Sequence, residues 1–141
     1  MITAQDLIGT WRLVSYTFTT DEGQVIEPYG PAPVGQIMYH PDGGMAAHIM
    51  DAERPSVPRD LASLDGETAK TALAGYQSYC GDWHLDGDVV VHAVTAALAS
   101  DWVGTDQRRD ARLEGDVLTL GAQGIRLGGQ PGRSVIVWRR R

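Results

Sequence analysis

The sequence lacks features that mark several common classes of protein. Cys80 is the only cysteine, so no disulfide can form within the chain, and a reducing compartment fits. No stretch approaches the ~20 apolar residues that cross a bilayer. The N-terminal residues 1–6 show no basic region followed by an apolar run. We therefore expect a soluble, cytoplasmic protein with no membrane partner.

Basic residues are in the minority, since 12 Lys and Arg stand against 18 Asp and Glu, a formal net charge of −6. This negative charge disfavours attraction to DNA, RNA and anionic membranes. The terminal run Arg139–Arg141 is a local exception, which we interpret as a short solvated tail with one arginine facing the fold. We expect no nucleic-acid partner.

The signatures of metal-dependent and covalent catalysis are also missing. The histidines show no close pairing of the His-x-x-x-His type, and one cysteine cannot build a zinc knuckle. The glycines at 121–124 and 128–129 do not join a strand to a following helix, so they indicate turns and not a nucleotide-binding loop. No Gly-x-Ser-x-Gly elbow occurs. We expect no metal and no cofactor.

The chain does contain a regular series of turn signals that separate short runs rich in Val, Ile, Thr, Tyr and Trp. This pattern is typical of successive hairpins. Strands are predicted near 11–20, 24–28, 34–40, 45–50, 79–85, 89–98, 107–113, 117–121 and 134–139. We therefore predict an all-β fold, a closed up-and-down antiparallel barrel of about eight or nine strands, in a single domain over residues 1–141.

Two local features modify this meander. In the first strand Trp11 and Leu13 occupy one face but Val14, Tyr16 and Phe18 the other, and a bulge near Ser15 reconciles them. The segment 65–74 begins with Asp65, a good N-cap, and contains good helix formers. It predicts one short amphipathic helix over the barrel.

The ends of the chain carry the most informative motifs. Gly9-Thr10-Trp11 opens the first strand and Val137-Trp138-Arg139 closes the last, as in a sheet whose final strand pairs with its first. With Tyr29-Gly30, Tyr39-His40-Pro41-Asp42-Gly43, Gly75-Tyr76 and the run 102–107, they resemble the bacterial and fungal lipocalin-like domain proteins, a family of single-domain lipocalin-like β-barrels.

The resemblance implies a calyx-type barrel with a small-molecule cavity. It does not imply one reaction, because such barrels serve both as carriers and as cyclases or isomerases in natural-product pathways. It also implies that Trp11 packs beneath Arg139 or Arg140 at the barrel floor, through a cation–π contact.

Alternation along the strand 107–113 selects two inward polar residues. Ala111 and Leu113 share a face with Gln107 and Arg109, so Gln107 and Arg109 are expected to point in. An unpaired inward cation is costly, so Arg109 should meet a carboxylate, ordered water or an anionic group of a ligand. Asp101 and Asp106 are the nearest candidates in the sequence, and a structural ion pair and a ligand-binding role remain alternatives.

The run 89–98 has two apolar faces, so its orientation rests on Thr95. Placing Thr95 outside turns five residues inward: Val90, His92, Val94, Ala96 and Leu98. An imidazole among aliphatic groups stays neutral and can act as donor or acceptor. We predict an acid/base or ligand-binding role for His92, the alternative being a core histidine bonded to a tyrosine or the backbone.

These arguments give a set of candidate site residues. The candidate catalytic groups are His92, Arg109 and Tyr39. The candidate ligand-binding residues are mostly apolar or aromatic, with plain core packing as the alternative for the aromatic ones. They are Gln107, Tyr76, Tyr79, Trp83, Trp102, Ile37 and Val94.

Our leading hypothesis is binding of a small, largely apolar, oxygen-bearing metabolite, polyketide- or terpenoid-like, in the barrel cavity. The first alternative is a cofactor-independent cyclase or isomerase acting on such an intermediate in natural-product biosynthesis. The second is a non-catalytic barrel that binds another protein through its surface. The sequence leaves open the identity of the ligand, its turnover and the oligomeric state, a homodimer included.

Overall fold

The computed structural model describes all 141 residues, and most of them lie in strands of one antiparallel sheet. The strands are β1 (Gly9–Thr20), β2 (Val25–Ile26), β3 (Val34–Tyr39), β4 (Gly44–Met50), β5 (Tyr76–Asp86), β6 (Val89–Ala97), β7 (Asp106–Glu114), β8 (Val117–Leu127) and β9 (Gln130–Arg140). A short helix α1 (Ala4–Leu7) precedes β1, and α2 (Gly66–Ala74) joins β4 to β5. Short 3₁₀ helices cover Leu61–Ser63 and Ser100–Trp102.

Pairing of the first and last long strands closes the sheet into a barrel. Each strand pairs with the next in the order β1, β3, β4, β5, β6, β7, β8, β9, and β9 pairs back along β1. That pairing runs from Trp11 opposite Arg140 to Thr20 opposite Gly132. The two-residue strand β2 adds to the second half of β1. The predicted closed up-and-down barrel is confirmed, and closure gives each long strand a paired neighbour on both sides.

The irregular first strand contains the predicted bulge. The register of β1 against β9 shifts between Leu13 and Ser15. Val14 is 44% exposed, whereas Trp11 and Phe18 are buried on either side of it. The bulge therefore turns both halves of β1 toward the interior.

A second bulge, in β6, corrects two predicted orientations. Val90, His92 and Val94 are buried as expected, but the register of β5 against β6 then skips Thr95. Beyond that point Ala96 and Leu98 are exposed and not inward, and Ala97 packs against the core instead. Gly81 lies opposite this bulge, and a Cβ there would lie only 1.9 Å from the carbonyl oxygen of Ala93.

The end of the barrel where β1 begins and β9 ends, here called the floor, is closed. The indole Nε1 of Trp11 donates to the carbonyl oxygen of Leu7 at 2.9 Å, and both side chains are fully buried. The guanidinium of Arg140 lies 4.1 Å from the centroid of the Trp11 ring and donates to the carbonyl of Ile8. The cation expected above Trp11 is thus Arg140. Helix α1, which the sequence analysis did not predict, completes this closure.

The opposite end, here called the mouth, carries the longer connections. Helix α2 lies there as predicted, with the Asp65 side chain accepting from the backbone N–H of Thr68 at 2.8 Å. The β8–β9 hairpin also extends further than predicted, because its turn lies at Gly128 and Gly129, both with positive φ. No helix of the chain has the length and apolar character needed to span a bilayer.

Candidate functional site

A cavity of about 160 Å³ lies in the barrel on the side of the mouth. Its wall is mostly apolar or aromatic, with a few polar groups among the rings and aliphatic chains. The residues that line it are Tyr16, Tyr29, Ile37, Ala47, Ile49, Gln77, Tyr79, Trp102, Arg109, Leu120, Ile125, Arg126, Leu127, Ile136 and Trp138. A pocket of this composition suits an apolar molecule oriented by a few polar contacts.

Arg109 is the buried cation of this wall, with 8% of its surface exposed. Its guanidinium donates to the backbone carbonyl of Arg108 at 3.0 Å and to Oε1 of Gln107 at 3.3 Å. It makes no ion pair, so the expected pairing with Asp101 or Asp106 does not occur; the ion pairs of the structure join other, exposed residues. A guanidinium has five N–H donors, so Arg109 retains donors for another acceptor.

His92 lies between two tyrosine hydroxyls just beneath the cavity. Its Nε2 is 2.8 Å from the hydroxyl of Tyr39 and its Nδ1 is 2.8 Å from that of Tyr79. His92 itself is fully buried and does not line the cavity, whereas Tyr79 does. The three side chains form a continuous hydrogen-bonded row whose upper member reaches the cavity.

Burial keeps the members of this row uncharged at neutral pH. Desolvation lowers the pKa of His92 to about 3, with a smaller contribution from the nearby Arg109 cation. Desolvation also raises the pKa of Tyr79 to about 12 and that of Tyr39 well above its usual value. The imidazole is therefore neutral and both phenols are protonated.

Trp138 contributes an unsatisfied donor. Its side chain is 1% exposed and lines the cavity, yet its indole Nε1 has no hydrogen-bond partner. A buried N–H without an acceptor costs about 1–3 kcal/mol. An acceptor that reached this N–H would remove the cost.

Three of the predicted ligand-binding residues line this cavity. Ile37 lies on its wall opposite Ala47. Trp102 packs edge-on against Tyr79, with ring centroids 5.4 Å apart, at the mouth. Tyr79 contacts Trp102 and forms a hydrogen bond with His92. Arg109, placed among the candidate catalytic groups, lines the same space.

The other candidates lie elsewhere. Tyr39 and Trp83 are buried below the cavity with ring centroids 4.9 Å apart, and the indole of Trp83 donates to the carbonyl of His40. Val94 is buried in the core without lining the cavity. Gln107 supports Arg109 from the side and bonds to the hydroxyl of Thr105.

Tyr76 lies outside the barrel interior. Its hydroxyl is 2.6 Å from Nδ1 of His48, an exposed side chain, and the guanidinium of Arg54 lies over its ring at 5.0 Å. It lines a separate surface pocket formed with α2 and the segment before it. The helical spacing that linked Tyr76 to Leu73 does not continue, because β5 begins at Tyr76 and Leu73 is 56% exposed.

Sequence reasoning missed several wall residues. Trp138 was interpreted only as part of the closing motif. A tryptophan on this strand can also point inward and line an interior cavity, as Trp138 does. Ile125 and Leu127 were placed in a loop, because glycines surround them. Tyr16 and Tyr29, whose ring centroids are 5.1 Å apart, were not proposed for the site. No group of three His, Cys, Asp or Glu lies close enough together to hold a metal ion.

A solved structure of a known protein agrees with this architecture. A crystal structure of a lipocalin-like protein from Bacteroides uniformis is similar to this chain, with a TM-score of 0.51 and 13% identity, covering 96% of this chain and 99% of that one. An uncharacterized protein from Bacteroides eggerthii aligns over 96% of this chain and 100% of its own, with 14% identity and a TM-score of 0.48. No curated protein matches the chain.

The family comparison is more direct than the structural one. The sequence profile of the lipocalin-like domain matches residues 8–141, which is nearly the whole chain and includes every strand of the barrel. The resemblance inferred from the terminal and turn motifs is therefore confirmed: the chain belongs to the family of lipocalin-like domain proteins.

Proposed function

We propose that this protein binds a small, largely apolar, oxygen-bearing metabolite in its barrel cavity. The observation that carries the proposal is a closed barrel with an apolar cavity whose wall holds buried hydrogen-bond donors, those of Arg109 and Trp138. Apolar walls supply affinity through burial, and a few fixed donors orient an oxygen of the ligand.

The volume of the cavity restricts the size of this ligand. An apolar cavity of about 150 Å³ in another protein holds one benzene molecule. The 160 Å³ measured here therefore suits one ring with a small polar substituent. Among compounds of terpenoid or polyketide type, only compact single-ring members match this size.

The cyclase or isomerase alternative rests on the row of Tyr39, His92 and Tyr79. The Tyr79 hydroxyl and Arg109 are suited to polarise a carbonyl oxygen at the cavity wall. Such a reaction also needs a group that removes a proton from carbon. The imidazole of His92 is held between two phenols behind the wall, with both ring nitrogens occupied. This arrangement supports binding more than turnover.

The test is saturable binding of ring-sized compounds. Titration with benzyl alcohol, followed by intrinsic tryptophan fluorescence and by native mass spectrometry, should give one site per chain. The two-ring compound 1-naphthol should bind at least tenfold more weakly. The ligand should be recovered unchanged; altered mass or chromatographic behaviour would favour the enzyme.

A matched pair of variants locates the site. Ala47 lines the cavity, so Ala47→Leu should fill it and remove benzyl alcohol binding. Ala46 is the neighbouring residue on the other face of β4, so Ala46→Leu should leave binding unchanged. Equal binding by both variants would contradict the proposal.

The compartment belongs to the same proposal. A single cysteine, Cys80, that is exposed and unpaired supports function in a reducing compartment such as the cytoplasm.

A further inference from the structure

We infer that the ligand of the cavity is a compact monoanion, a ring-sized apolar body with one carboxylate that pairs with Arg109 and accepts from Tyr79 and Trp138. This inference rests on the proposed function and adds the charge and the hydrogen-bonding character of the ligand. It follows from the buried hydrogen-bond donors of the structure that have no acceptor.

The row of Tyr39, His92 and Tyr79 has one more hydrogen-bond donor than it uses. A neutral imidazole has one N–H donor and one acceptor nitrogen, so one tyrosine donates to His92 and the other accepts from it. The accepting tyrosine keeps its own hydroxyl proton for another partner. In the structure neither hydroxyl has a second partner.

Burial decides which tyrosine accepts. Tyr39 is 2% exposed and lies away from the cavity, so an unused proton on its hydroxyl would be buried without an acceptor. The favoured arrangement is therefore Tyr39 donating to Nε2 and Nδ1–H donating to Tyr79. The proton left over belongs to Tyr79, whose side chain forms part of the cavity wall. His92 acts here as a positioning residue, because it fixes which hydroxyl can donate to a ligand.

The cavity wall also has an excess of hydrogen-bond donors and of positive charge. The indole N–H of Trp138 has no acceptor, and Arg109 bonds only to a carbonyl and an amide oxygen. The free donors of the wall thus include a phenol, an indole and a guanidinium, and no carboxylate of the chain pairs with that guanidinium. A buried cation without an anion is unfavourable.

A carboxylate meets all of these conditions at once. It is planar, it matches the paired N–H groups of a guanidinium, and its two oxygens accept several hydrogen bonds. The apolar remainder of the wall leaves space for one ring beside it. Benzoate has this shape and charge, and benzamide is a neutral molecule of nearly the same shape.

The experiment compares these two probes by titration calorimetry at pH 7 with the intact chain. Benzoate should bind at least tenfold more tightly than benzamide, since a hydrogen bond between charged groups is the stronger kind. Arg109→Met should lower benzoate affinity at least tenfold and benzamide affinity by a smaller factor, so that the preference for benzoate falls. Tyr79→Phe keeps the ring and removes the donor, so it should weaken benzoate by a few-fold.

Two further variants serve as controls. Arg108 is the neighbouring arginine on β7, but it faces solvent and pairs with Asp86 at 2.7 Å. Arg108→Met should change neither affinity. Arg109→Lys keeps the charge and should recover part of the preference for benzoate. Circular dichroism shows whether Arg109→Met folds. If it does not, the affinities of the two probes for the unaltered chain and for Tyr79→Phe still test whether the ligand is an anion.

The outcomes separate the two proposals. Equal affinities for benzoate and benzamide, or an unchanged preference in Arg109→Met, would overturn the anion while leaving an apolar binding cavity in place. Binding of neither probe, together with no binding of benzyl alcohol, would overturn both.

Discussion

The floor of this barrel and the wall of its cavity differ in whether their buried polar groups have partners. At the floor, the Trp11 indole bonds to Leu7, Arg140 covers the ring, and its guanidinium bonds to backbone carbonyls. Around the cavity, by contrast, the indole N–H of Trp138 has no partner and the guanidinium of Arg109 has no anion. The same residue types are therefore bonded within the fold at the floor and lack partners around the cavity, which indicates where a ligand is needed.

The largest expected effect is a difference in stability between variants at the floor and at the mouth. Trp11→Ala should lower the free energy of unfolding by about 3–5 kcal/mol, because it removes a fully buried ring from a filled region. Trp102→Ala at the mouth should cost roughly 1–2 kcal/mol, because that ring is only partly buried. Urea denaturation followed by circular dichroism measures both. Equal losses would show that the mouth is packed as fully as the floor.

The second prediction concerns pH and His92. Its pKa is about 3 in the folded protein and near 6.5 when unfolded, so the unfolded chain binds a proton first as pH falls. The contribution of His92 to the free energy of unfolding is therefore fully present above about pH 6.5. It falls by up to about 1.4 kcal/mol per pH unit as the pH drops toward the folded pKa. Urea denaturation at a series of pH values between about 5 and 6.5 tests this, a window that lies above the midpoints of the Asp and Glu titrations.

The control for this slope is His92→Gln, which has no titrating ring. Its stability should be lower overall and should fall less steeply with pH over the same window, because Asp6, Asp42, Asp65 and Asp86 still contribute a slope through their lowered pKa. A slope unchanged by the substitution would assign the pH dependence to other groups.

The third prediction concerns the cost of keeping Arg109 without an anion. Arg109→Met retains an apolar stem and removes the buried charge, so the ligand-free protein should become more stable by roughly 1 kcal/mol. Arg108→Met, on the exposed face of the same strand, should change the free energy of unfolding by less than about 0.5 kcal/mol. Thermal unfolding of the three proteins measures the difference. A clear loss of stability in Arg109→Met would mean that the guanidinium is satisfied within the fold.

The smallest effect is expected on the outer surface of the mouth. Leu73 on α2 is 56% exposed, so Leu73→Gln should change the free energy of unfolding by less than about 0.5 kcal/mol and leave benzyl alcohol binding intact. A loss of binding would extend the site from the barrel cavity to α2.

The sequence was informative where one face of a strand is charged. On β7, Arg108, Asp110 and Arg112 mark the solvent face, so the inward orientation of Arg109 could be predicted and is observed. The bulge in β1 was also predictable, because its apolar residues change face. These signals come from the pattern of residues along single strands, and such patterns predict the architecture of the barrel well.

Orientation could not be predicted where both faces are apolar. On β6 the second bulge, at Thr95, depends on the close approach of Gly81 on the neighbouring strand, which a single sequence does not reveal. The pairing of His92 with Tyr39 and Tyr79 joins three strands, so it depends on the register of the barrel. The unpartnered indole of Trp138 is likewise a property of the assembled interior.

The most direct test of the account uses the four tryptophan indole N–H signals in a ¹H–¹⁵N correlation spectrum, titrated with benzoate. The Trp138 signal should move progressively to saturation, because its N–H gains an acceptor in the cavity. The Trp11 signal should stay in place, since its N–H is already bonded to Leu7 at the floor. A stationary Trp138 signal at saturating benzoate, or a shift confined to Trp11, would contradict the account.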